Sequence, residues 1–168
     1  MQSLSLDEQS TAQIYKLMHD PEMQQTGDLK SDRWNQDDQR HLCGAFRDNR
    51  VVPYEGLCVS QLANKQQQLV LDIAEQFLLY LPDSARAIHK AHIQSFFEET
   101  YFCWIGSYGD QDPFYYRLQS PIIIMEFDHH SGVFLMNQEP AKFHTHTLLR
   151  MPNAGDYGNA LRQPSEKL

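Results

Sequence analysis

Long apolar runs are missing from this chain. No stretch of about 18 uninterrupted apolar residues occurs, which excludes a transmembrane helix of the usual kind. Positive charge is also scarce, with 14 Lys and Arg against 22 Asp and Glu and a formal net charge of -8. Nucleic acid and anionic membranes both need a basic footprint, so neither is an expected partner. Only three cysteines occur, Cys43, Cys58 and Cys103, and no pair has CxxC spacing. That set supports neither a disulfide framework nor a zinc knuckle. The first residues, Met1-Gln2-Ser3-Leu4-Ser5-Leu6-Asp7-Glu8, are acidic and lack the basic-then-apolar form of a signal peptide. A soluble, cytoplasmic protein is the expectation.

What is present fits one folded domain over residues 1–168, since 41% hydrophobic and 11% aromatic content can fill a core at this length. Residues 6–19 carry apolar side chains at Leu6, Ile14, Leu17 and Met18 and predict a modest helix. Up to residue 50 the chain turns polar and unpatterned, with Trp34 as the residue that should not stay in water. Val51-Val52-Pro53 reads as extended, because proline pushes its predecessor towards the β region.

The strongest helical signal comes next. Leu62, Leu69, Val70, Ile73, Phe77, Tyr80 and Leu81 recur at spacings of three, four and seven, with Ser60 as N-cap and Pro82 as stop. A second helix is expected over 84–99, with Ile88, Phe96 and Phe97 inward. The short link makes the two an antiparallel pair. After Thr100 the period changes. Runs at 101–105, 114–119, 122–128, 133–137 and 144–150 are rich in β-branched and aromatic residues, and turns too short for crossover helices separate them. The predicted fold class is therefore α+β: N-terminal helices, including the pair at about 60–99, packed on an antiparallel β meander at about 101–150. A polar tail over 159–168 is expected to fray.

Four of the eight histidines, His129, His130, His144 and His146, fall close together. On a strand, side chains alternate, so His144, His146, Leu148 and Arg150 share a face. Two imidazoles at that spacing can grip one metal ion. Glu126 is the expected third ligand, because a carboxylate interrupting Ile122-Ile123-Ile124-Met125 is costly without a partner. Glu126, His144 and His146 would then hold a divalent Zn, Fe or Mn. Without metal, the same groups would serve as acid and base. His129 and His130 read as residues of a hairpin tip.

Arg117 and Arg150 could clamp an acidic group on a small-molecule substrate, or be spent on internal salt bridges with Glu126 or Asp128. Glu55, Asn153, Asp156 and Tyr157 lie in turn-rich segments expected at the rim of the sheet, where loops carry function: Asp156 and Tyr157 as catalytic groups, Glu55 and Asn153 on the substrate.

Several ordered blocks resemble the domain of unknown function 3500 family. They are Gly44-Ala45-Phe46-Arg47-Asp48-Asn49-Arg50, Pro53-Tyr54-Glu55-Gly56, Tyr101-Phe102-Cys103-Trp104-Ile105-Gly106 and Pro113-Phe114-Tyr115-Tyr116-Arg117. Glu126-Phe127-Asp128-His129-His130-Ser131-Gly132-Val133, His144-Thr145-His146-Thr147 and the stretch from Pro152 to Gly158 belong with them. The resemblance spans roughly residues 37–163, with residues 51–158 as its core, and implies a shortened relative of longer members. It marks positions and implies no reaction. Its last turn is expected to read Pro-Asn-Gly-Asn-Asp-Tyr-Gly, whereas Ala154-Gly155 stands here. The function these observations predict is a small-molecule enzyme acting on an acidic metabolite by hydrolysis, isomerisation or metal-assisted oxidation. The alternative is a non-catalytic ligand-binding module, or an inactive truncated paralogue.

Overall fold

A computed structural model describes residues 1–23, 30, 35–41, 50–156 and 158–159. The readings that fell on Trp34, Cys43, Asp48, Asn49, Tyr157 and 160–168 lie outside these residues.

The chain opens with helix α1, Leu6–Ala12, started by a reciprocal box in which Ser5 Oγ accepts from Glu8 N–H and the Glu8 carboxylate accepts from Ser5 N–H. The helix expected over 6–19 ends early. Gln13–Tyr15 form strand β1, parallel to a strand some ninety residues further on. Its Gln13 amide donates to the Gly106 carbonyl at 2.9 Å, while Ile14 and Tyr15 pack beside Cys103, Ile105 and Tyr115. No local periodicity reports a pairing so distant in sequence.

Strand β2, Leu57–Cys58, precedes helices α2, Asn64–Phe77, and α3, Asp83–Ser95. Ser60 is not the N-cap of α2. It lies in a 3₁₀ turn, Val59–Gln61, and Ala63 caps α2 with the Gln66 side chain accepting from its N–H. Nor does Pro82 stop α2; it begins α3. The inward side of α3 is Ile93, followed by Phe97, whereas Ile88 is 71% exposed.

Strands β3 (Tyr101–Gly106), β4 (Phe114–Gln119), β5 (Ile124–His129) and β6 (Thr145–Arg150) then pair successively as the expected antiparallel meander. β1 and β2 add to β3, so among the described residues the sheet has six strands and is mixed. The expected strand at 133–137 is absent. Gly132 N–H bonds the Asn137 carbonyl, Leu135 N–H bonds the Gly132 carbonyl, and Val133 takes a φ of 56°. A β-branched residue in that left-handed conformation belongs to a turn.

Register divides the sheet into two chemical faces. Phe102, Leu118, Met125 and Leu149 form one cross-strand row, and Trp104, Tyr116, Phe127 and Thr147 the next. Val70, Leu71 and Ala74 of α2 and Ile93 of α3 cover this apolar face to make the main core. The opposite face carries Cys103, Arg117, Glu126 and Leu148 in one row, and Ile105, Tyr115, Asp128 and His146 in its neighbour. Residues 36–41 and the stretch around Glu55 bring polar partners to that side. Gly56 makes the approach feasible: its φ is 89°, and a Cβ there would sit 2.2 Å from the Phe102 carbonyl.

Candidate metal centre

The polar face concentrates ionisable groups that are costly to bury alone. Asp128, at the end of β5, is fully buried and gripped by Arg40. The Arg40 guanidinium donates from Nη2 to both oxygens, at 2.9 and 3.1 Å, and from Nε at 3.1 Å. A second arm of Arg40, Nη1, donates to Asp37 at 2.8 Å and to the Met18 carbonyl at 2.9 Å. Asp37 also contacts His19. Arg40 and its two carboxylates thus tie the 3₁₀ turn Gln36–Gln39 to β5.

His41 follows in the same segment, with Nε2 2.7 Å from Asp128 Oδ2. Its Nδ1 is buried and has no hydrogen-bond partner among the described residues. His130 and His146 lie beside it. The His130 and His146 rings stack with centroids 4.3 Å apart, and His41 meets them at 5.8 and 6.2 Å. One ligand atom from each of His41, His130 and His146 falls within 4.8 Å of the other two. Donors sharing one ion at bonds of about 2.0–2.1 Å lie no more than about 4.2 Å apart, so the three rings are near enough to converge on a metal after a small inward shift.

His130 does not belong to a hairpin tip. The main chain carries the β5–β6 pairing one step past the strands, with His130 N–H bonded to the His144 carbonyl at 2.8 Å, and the ring is fully buried. Its Nδ1 faces the Ser131 carbonyl at 2.8 Å and its Nε2 faces Asp38 Oδ1 at 3.1 Å. Two acceptors flank one imidazole, so Nε2 must hold either a proton or another cation. Burial opposes charge on this ring, but Asp38, Asp128, Asp37 and the Ser131 carbonyl outweigh it and raise its proton affinity.

His144 is oriented by Asn137. The Asn137 amide donates to the His130 and Glu139 carbonyls, which leaves its Oδ1 to accept from His144 Nδ1 at 3.0 Å. His144 Nε2 therefore presents a lone pair, 3.3 Å from His146 Nε2. Burial, then the positive field of neighbouring histidines, lowers the proton affinity of both rings; His146 is pushed down to about 4. Neutral imidazoles are what a metal requires.

Of the groups singled out from sequence, His146 enters the three-histidine set and His144 touches it. Glu126 stands outside that set. It is fully buried in the neighbouring row, where the Tyr115 hydroxyl donates to its Oε1 at 2.5 Å. Arg117 Nη2 pairs with Glu55 Oε2 at 2.8 Å, so these two expected substrate ligands engage each other. Asp156 accepts from Met151 N–H and lies 3.7 Å from Arg150, while Asn153 is exposed in the last turn. His129, the other residue assigned to the hairpin tip, is buried at the end of β5, edge-on to Phe114 and Phe127.

Sequence reasoning missed His41, Asp128 and His130. His130 carried a usable signal, since two polar residues after a buried strand can extend its pairing. His41 carried none, because a lone histidine in a polar stretch reports nothing about the strand it will meet. An apolar cavity of about 390 Å³ also exists on the opposite side of the sheet, between Leu4, Leu62, Val70, Ile73 and Phe102. Its lining contains no histidine and is remote from this chemistry.

An α+β protein with three clustered histidines, two of them fully buried, is the class that fold and site define. The chain belongs to the family described as "Protein of unknown function (DUF3500)", whose model matches residues 1–159. The match takes in α1 and β1 as well as the meander. No curated protein and no solved structure matches.

Proposed function

We propose that the polar face is the reactive centre of a metal-dependent enzyme acting on a small molecule, with zinc, iron or manganese held by His41, His130 and His146. The observation that carries this reading is the convergence of three imidazoles within 4.8 Å in a nearly dry setting, backed by Asp128 and Asp38. An all-imidazole set with an open position suits these metals. Bound there, the ion would polarise a substrate oxygen or lower the pKa of a water to about 7. His144, with a lone pair beside His146, is placed to take up a proton at Nε2. Tyr115, in the row of His146, donates its hydroxyl to Glu126 in the adjacent row, a second polar pair on this face. Arg150, one-quarter exposed and 3.7 Å from Asp156, is the guanidinium suited to meet an acidic substrate group.

The test is metal analysis of full-length protein purified without a histidine tag and loaded separately with Zn²⁺, Fe²⁺ and Mn²⁺. One ion per chain is expected, and it should be lost from His41→Ala, His130→Ala and His146→Ala. Folded wild-type protein that retains none of the three after dialysis overturns the reading.

A second reading, a non-catalytic metal or ligand site, is favoured by the near-complete burial of His41 and His130. The two differ in coordination. A Co²⁺-loaded centre with an exchangeable water supports the enzyme, and a closed four-coordinate centre supports the non-catalytic module.

A further inference from the structure

We propose that Arg40 and Asp128 are the positioning residues of this centre, holding the His41 proton on Nε2 so that Nδ1 is the atom His41 turns to the metal. The inference rests on the metal reading above and specifies how one ligand is prepared.

A carboxylate gripped through both oxygens by a guanidinium offers only lone pairs. Asp128 is held in that way by three contacts from Arg40 between 2.9 and 3.1 Å. His41 Nε2, 2.7 Å from Asp128 Oδ2, must then be the donor. That leaves Nδ1 as the nitrogen with a lone pair when the ring is neutral. It is buried and without a hydrogen-bond partner among the described residues, in the ring that faces His130 and His146. A buried polar atom with no partner is unusual in a folded protein, and a cation among the three rings would satisfy it. A carboxylate behind a ligating imidazole fixes its tautomer and raises its basicity.

Arg40 has its own anchor. Asp37 and the Met18 carbonyl hold Nη1, so the guanidinium cannot swing away from Asp128 without exposing a buried ion pair. The orientation of His41 is therefore set by residues on two distant segments, 36–41 and β5.

The test uses the full chain with ¹⁵N-labelled histidine, first free of metal and then titrated with Zn²⁺. His41 signals are assigned by their disappearance in His41→Gln. Long-range ¹H–¹⁵N spectra of metal-free wild type should show a single His41 tautomer, protonated at Nε2. Adding one equivalent of Zn²⁺ should move the Nδ1 signal while Nε2 keeps its proton. Asp128→Asn should lose the single tautomer and weaken zinc binding about 10–100-fold, and Arg40→Lys should weaken it in the same direction. Asp128→Glu should recover part of both.

A wild-type His41 protonated at Nδ1 overturns the proposal even if no variant folds. Unchanged zinc affinity in folded Asp128→Asn overturns it as well. The stated tautomer in a wild-type protein that binds no zinc sinks the metal function while supporting the tautomer lock.

Discussion

Asp128 Oδ2 lies 2.7 Å from His41 Nε2, a contact that joins β5 to a residue 87 positions earlier. It connects the best-formed part of the sheet to a polar segment with no hydrophobic pattern. Around this contact the chain assembles Arg40, His130 and His146, and the behaviour of the centre follows from the partners each group has.

The two adjacent histidines of β5 and its extension should behave differently. His130→Ala removes a ligand and should abolish stoichiometric zinc binding. His129→Ala acts on a ring packed edge-on to Phe114 and Phe127, with Nδ1 accepting from Phe114 N–H, and should leave zinc affinity within a few-fold of wild type. Isothermal titration of both folded variants checks the contrast. Equal losses would remove His130 from the ligand set.

Acid should act through Asp37. Burial pushes its carboxyl up, but contacts with His19 and Arg40 outweigh this and hold it well below its ordinary value of 3.8. Because the folded state binds this proton less readily, the stabilisation is full above 3.8 and is lost as pH falls through the lower folded value. Urea midpoints for wild type should drop across that acid range. Asp37→Asn should be less stable at neutral pH and should flatten this part of the profile.

Tyr115→Phe should destabilise the fold while keeping the ring that packs edge-on to His41. Its hydroxyl is buried and donates to Glu126 Oε1 at 2.5 Å. Withdrawing a donor from a buried carboxylate costs about 1–3 kcal/mol. Urea unfolding should show the loss, while zinc stoichiometry stays at wild type. A neutral effect on stability would mean that Glu126 does not depend on this bond.

The last turn offers a stabilising change. Asn153 and Ala154 have φ values of 54° and 60°, whereas Gly155 is not among the residues of positive φ. The residue expected to be glycine in the family pattern is Ala154, and the structure places that position in the left-handed region. Ala154→Gly should relieve strain and raise stability by about 1 kcal/mol, net of the greater freedom of glycine in the unfolded chain. For a chain of this size that is roughly 2–4 °C in Tm. A lowered Tm would show that the alanine conformation carries no strain.

Patterns that repeat within a few residues were legible in the sequence. The three-and-four spacing through Val70 and Ile73 located α2. Runs rich in β-branched and aromatic residues at 114–119 and 122–128, bounded by turn residues, located β4 and β5. Short turns implied the antiparallel meander, and two-residue spacing placed His144 and His146 on one face. The apolar content of 133–137 misled, because alternation cannot report the positive φ of Val133 that turns those side chains outward.

Local sequence by itself located α2, α3 and the four strands of the meander, and placed His146 and Arg150 on a common face of the last one. Tertiary structure alone decided that Glu55 would take Arg117, that Tyr115 would take Glu126, and that His41 would complete the cluster. The reason is physical. Periodicity reflects burial along one element, whereas a buried charge selects the partner that folding brings within about 3 Å, however far away it lies in the chain.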